Sequence, residues 1–106
     1  MSTNEKMGAT TEGFRVERDV SGRFWVAFGL VGDSEMAILS RPKKADAERE
    51  GREQHAILVA AKKVALRYLG REVVREDAVF SIRAIPGVKD ASEARFLLSL
   101  FCGEAA

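Results

Sequence analysis

Apolar residues along this chain follow two periods. From Phe14 to Ser40 they follow the two-residue period of strands, and from Pro42 to Gly70 they recur at three- and four-residue steps. Phe14 and Val16 share one side of an extended segment, with Val20 in line after Arg18. Arg15, Glu17 and Asp19 face the other way, which is the pattern of a half-buried strand. Ser21-Gly22 supplies a tight turn into a return strand, Phe24 to Val31. That second strand is apolar on both sides: Phe24, Val26, Phe28 and Leu30 on one, Trp25, Ala27, Gly29 and Val31 on the other. It predicts a central strand covered on both faces. Gly32-Asp33 turns into a third strand, Glu35 to Ser40. Three strands joined by short turns predict an antiparallel meander with the second in the middle.

The longest helical pattern runs from Pro42 to Gly70 and has two unlike halves. Lys43 to His55 is almost entirely charged or small. Ala56 to Leu69 carries an apolar stripe of Ile57, Ala61, Val64, Ala65 and Tyr68, widened by Leu58 and Leu69. Ser40 and Pro42 are entry signals, and Gly70 is expected at the C′ position. A helix from Lys43 to Leu69 measures roughly 40 Å at about 1.5 Å per residue, while strands of this kind span about 20–27 Å. The apolar half is therefore expected to pack on the meander and the charged half to overhang it. Gly51, which costs about 1 kcal/mol relative to alanine, marks a kink or a late helix start.

Beyond Gly70, Arg71–Asp77 is polar except for Val73 and Val74 and reads as a connector or a short edge strand. Ala78 to Ile85 alternates again and predicts a fourth strand, ended by Pro86-Gly87. Asp90 with Glu93 three residues on forms a capping-box pattern. It opens a helix over Ala91–Cys102 that Gly103 closes. Ala94, Leu97, Leu98 and Phe101 form one stripe of that helix; Phe96 and Leu100 lie off it. The fold class is α+β: an antiparallel three- to four-stranded sheet, a long helix across one face and a short C-terminal helix. Residues 13–106 read as a single domain behind a flexible N-terminal tail, 1–12.

Composition narrows the function classes. The chain has 106 residues, 46 % hydrophobic and 31 % charged, which is ordinary for a globular domain. No run of apolar residues is long enough to span a membrane, and the N-terminus lacks the apolar stretch of a signal peptide. The single cysteine, Cys102, excludes an internal disulfide. The expected location is cytoplasmic. Net charge is +1. Residues 42–70 carry seven bases against four acids, whereas 1–41 and 71–106 each carry five bases against six acids. No segment is a basic block of the kind that displaces counterions from DNA.

Candidate chemistry is sparse. His55 is the only histidine and has no identifiable nucleophile or orienting partner, so it reads as a boundary residue of the helix rather than a general base. Cys102 follows Phe101 at a helix C-terminus, where the dipole disfavours a thiolate. One His and one Cys exclude a zinc site, and the acids between Asp46 and Glu53 are interleaved with arginines. There is no phosphate-binding loop and no Gly-x-Ser-x-Gly elbow. No cofactor, no metal and no enzymatic activity are expected.

What stands out is the C-terminal helix. Six of the seven residues from Phe96 to Cys102 are apolar, more than a one-sided helix requires. The expected oligomer interface is Phe96, Leu97, Leu98, Leu100 and Phe101. The expected partner surface is Lys43, Lys44, Glu48, Arg49, Arg52 and Glu53 on the long helix, with Trp25 on the sheet, which reads either as an interface anchor or as core beneath the C-terminal helix. The leading reading is a small non-enzymatic protein-binding or oligomerising module. In size and profile (short, mixed α/β, no catalytic set) it resembles phage-borne anti-CRISPR and anti-restriction inhibitors of larger host complexes. The alternative is a DNA-binding domain using the sheet (Arg15, Arg23, Trp25, Arg41) or the basic start of the helix. Three strands followed by a helix is an order similar to that of plant AP2-type and integrase arm-binding domains. The residue patterns of those domains are absent, and the charge of the meander opposes that use.

Overall fold

A computed structural model describes residues 13–103; the expected tail, 1–12, lies outside the described residues. Three strands are followed by three helices: β1 (Arg15–Arg18), β2 (Trp25–Val31), β3 (Ser34–Arg41), α1 (Lys44–Leu69), α2 (Arg75–Arg83) and α3 (Ala91–Cys102). The class is α+β. The chain divides into two compact units, one up to Ala56 and one from Ile57, and α1 contributes a half to each.

In the first unit the strands form an antiparallel sheet in the order β1-β2-β3, as the alternation predicts. The β1–β2 loop is held by Asp19, whose carbonyl and carboxylate both accept from the Gly22 N–H at 3.0 Å. Gly22 (φ 75°) and Gly32 (φ 69°) take the left-handed conformation that the two turns need. Val20, expected in line with Val16, instead stands fully exposed in the first loop. In the β2–β3 ladder Ala27 pairs with Leu39 but Phe28 pairs with Ala37, so Ile38 is the extra residue of a β-bulge.

The covered face of the sheet carries Phe14, Ala27 and Val31, all essentially inaccessible to solvent. Burial of side chains such as Phe14 and Val31 contributes about 1.5–3 kcal/mol each. The charged half of α1 lies on this face. Ala47, Gly51 and His55 recur every four residues and form the buried edge of the helix. The seam is close. A Cβ added at Gly51 would fall 2.6 Å from the Ala27 Cβ and 3.0 Å from Phe14 Cζ. The expected overhang is therefore absent, and so is the expected break. The helix runs unbroken through Gly51, because only glycine lets its backbone come this near the sheet.

The opposite face of β2 is not covered as its apolar pattern suggests. Phe24 and Leu30 are 40 % and 43 % exposed. Phe28 lies under the Arg15 guanidinium, whose carbon is 4.3 Å from the ring centre. Arg15 in turn pairs with Glu17 and with Glu35, the latter at 2.9 Å.

The second unit is helical. The segment expected as a fourth strand is α2: Ala78 and Ile82 are buried four residues apart, while Phe80 between them points outward. Glu76 and Asp77 in its first turn and Arg83 in its last favour the helix dipole. α2 and α3 pack on each other. Four alanines (Ala61, Ala65, Ala78 and Ala94) are fully buried alongside Ile57, Leu58, Ile82, Leu97 and Leu98. α3 starts as its sequence predicts, with the Asp90 carboxylate accepting from the Glu93 N–H at 2.9 Å, and Gly103 (φ 69°) ends it. The end of α1 differs from expectation. Arg71, not Gly70, takes the left-handed conformation (φ 63°), and its N–H bonds the Tyr68 carbonyl while the Glu72 N–H bonds the Arg67 carbonyl. That is a Schellman motif with an arginine at C′.

Candidate functional site

The His55 ring is buried, stacked on Phe14 with centroids 5.8 Å apart, and its Nε2 lies 2.7 Å from the Leu30 carbonyl oxygen. A carbonyl only accepts, so Nε2 carries the hydrogen and donates it. The imidazole therefore joins α1 to β2; it faces no nucleophile. Gly29 makes room for it, since a Cβ there would fall 2.5 Å from His55 Cδ2. Cys102 is half-buried on the last turn of α3. Among the described residues, no group of three or more His, Cys, Asp or Glu is placed to hold a metal ion. A cleft of about 430 Å³ lies at the end of α1, lined by Tyr68, Leu69, Arg71, Val73 and Val74. It contains no convergent set of acid, base or nucleophile.

Two surfaces remain. The first belongs to the helical unit, where several large apolar side chains lie outside while four alanines take up places in the interior. Phe80 is 70 % exposed, Phe96 62 % and Leu100 43 %; Leu66, Leu69 and Val74 are also exposed. Of the five residues expected at an oligomer interface, Phe96 and Leu100 are on the surface and one turn apart. Leu97 and Leu98 are buried inside the unit, and Phe101 is half-buried with the Lys62 ammonium 5.8 Å from its ring centre. The last two turns of α3, Phe96–Cys102, carry no charged residue.

The second surface is one end of the sheet. Register places Arg18, Trp25 and Arg41 side by side across the three strands. Lys44, the first residue of α1, brings its ammonium 5.3 Å from the Trp25 ring centre, and the Arg18 guanidinium carbon lies 5.2 Å from it. Arg41 is held by Glu50 at 2.8 Å. The expected partner residues thus divide. Trp25, Lys43 and Lys44 sit at this end. Arg49 is engaged by Asp46 at 3.3 Å and Glu50 at 3.2 Å. Arg52 lies over Phe14 at 4.8 Å, and Glu48 and Glu53 stand farther along the helix. Sequence reasoning did not include Arg18, which only the cross-strand register brings to Trp25.

Among the described residues, no helix is long and apolar enough to cross a membrane. Comparison of the chain with known protein families, with curated proteins and with solved structures finds no match in any of the three.

Proposed function

We propose that this protein is a small non-enzymatic protein-binding module that self-associates through α3. The observation that supports this most directly is the exposure of Phe96 and Leu100 on a stretch of helix without charge. Exposed apolar groups cost little singly, but grouped on one helix face they mark an interaction surface. An uncharged face suits a second copy of the same chain in particular. In a two-fold interface the patch is self-complementary, and a residue on the axis meets its own copy, so a charge there would face its like. A module of this kind can act in the cytoplasm as an inhibitor by occupying the working surface of a larger assembly.

Light scattering over a concentration series tests the reading. The wild-type chain is expected to dimerise by about 100 μM, since interfaces of about 1,600 Å² commonly hold at micromolar concentration or below. Phe96→Glu and Leu100→Lys, both at exposed positions, are expected to give folded monomers. A wild-type chain that stays monomeric at that concentration removes the proposal. Leu98→Lys is not a valid probe, because it buries a charge in the core of the unit and unfolds it.

A further inference from the structure

The charged end of the sheet has an imbalance that its own residues do not correct. Three of the acids near it are already committed. Asp19 accepts from the Ser21 hydroxyl at 2.7 Å and from the Gly22 N–H, and these bonds hold its carboxyl below the usual range. Glu50 takes Arg41 and Arg49, and Asp46 takes Arg49. Among the described residues, neither Arg18 nor Lys44 pairs with a carboxylate. Both cations instead lie within 5.3 Å of the centre of one indole ring, and both are exposed. A cation over an indole gains about 0.5–1 kcal/mol at an exposed site. Two like charges around one ring also repel each other, and an anion beside them offsets that repulsion. Arg23 and Lys43 extend the positive rim.

We infer that this end of the sheet docks a segment of a partner protein rich in Asp and Glu. Arg18 and Lys44 take the carboxylates, and the exposed part of Trp25 takes an apolar side chain beside them. A peptide fits better than a nucleic acid for reasons of charge. Residues 13–56 hold eight bases and eight acids, so the positive region is a patch rather than a track. A phosphate backbone running on along α1 meets Glu48 and Glu53, which no salt bridge holds among the described residues, whereas a short segment stops before them. Nucleic-acid affinity is built from many uncompensated cations acting together, and this surface offers few. A short acidic segment needs only the local pair. The inference deepens the protein-binding reading by giving the partner its chemistry, but it uses no residue of α3.

Trp25 is the single tryptophan of the chain, so its emission reports on this site directly. The full chain is titrated with a short oligoglutamate peptide and, separately, with a short oligothymidylate of matched charge. Both titrations are run at roughly 50 and 200 mM salt. Light scattering on the same samples records the oligomeric state, so failure here and failure of self-association are told apart. The expected result is a saturable change in emission with oligoglutamate, weakened about tenfold or more in Arg18→Glu/Lys44→Glu. Arg18→Gln/Lys44→Gln guards against a folding defect and is expected to weaken binding in the same direction. A control, Lys89→Glu/Arg95→Glu in the helical unit, is expected to bind as the wild type does. No response to oligoglutamate overturns the inference. So does undiminished binding by the glutamine variant. Tighter, more salt-sensitive binding of oligothymidylate also overturns it and assigns the patch to nucleic acid.

Discussion

Gly51→Ala separates two opposed effects in one substitution. In an isolated helix the change adds about 1 kcal/mol of stability, because alanine loses less backbone entropy. Here the new methyl would sit 2.6 Å from the Ala27 Cβ and 3.0–3.1 Å from the Phe14 ring edge. Carbon atoms rest at about 3.5–4.0 Å, so helix and sheet must part by roughly 1 Å. Ala27 has no flexible end to move aside, and it is fully buried. One turn along, the 2.7 Å bond from His55 to the Leu30 carbonyl stretches if the helix withdraws. Overpacking of this kind costs about 1–3 kcal/mol, and a weakened hydrogen bond costs roughly another 1 kcal/mol. The net expectation is a loss of about 1–2 kcal/mol, read as a lower urea midpoint by Trp25 emission. Ala27→Gly removes the opposing methyl, so the two substitutions are expected to couple favourably in a double-mutant cycle. A Gly51→Ala variant more stable than the wild type by the full helix-propensity increment refutes the close seam.

Three other expectations follow from features of single residues. Arg71→Gly relieves a left-handed arginine at the end of α1 and is expected to raise stability by about 1 kcal/mol, measured by denaturant unfolding; an unchanged or lower midpoint counts against strain there. His55→Leu removes the donor to the Leu30 carbonyl and is expected to cost about 1–3 kcal/mol, with faster hydrogen exchange in β2 as the local sign. The hydrogen bond from Arg15 holds the Glu35 carboxyl below its ordinary range, aided by the guanidinium charge. Because the folded value is the lower one, the stabilisation is full above the unfolded value of roughly 4.3 and is lost as pH falls through the folded one. Glu35→Gln is therefore expected to flatten the acid limb of a pH–stability curve, and a limb identical to the wild type excludes this role.

The strands were legible because Ser21-Gly22 and Gly32-Asp33 cut residues 14–40 into short extended segments, and segments joined by such tight turns can only pair antiparallel. The segment after Gly70 was not. Ala78 and Ile82 satisfy a period of two and a period of four equally well, and only Phe80 distinguishes them. In a strand it shares their side; in the helix it turns away. The placement of α1 was misread for a related reason. Its seam against the sheet is made of Ala47, Gly51 and His55, which carry little hydrophobic signal, so a reading based on large apolar residues assigns that half to solvent. The four-residue spacing of the two small residues was the available clue. Arg18 was missed because its neighbour in space, Trp25, is fixed by strand register rather than by spacing along the chain.

The bulge at Ile38 has a bearing on how copies of this chain can meet. β3 is an edge strand of eight residues, long enough to template a strand from another molecule. The extra residue near its middle breaks the regular repeat of the edge, so an incoming strand finds two short stretches in place of one ladder. Open-ended cross-β polymerisation needs an uninterrupted register repeated from chain to chain. The β3 edge is therefore a poor template for a fourth strand, in keeping with the proposed self-association through a helix face, where a two-fold pair closes and stops.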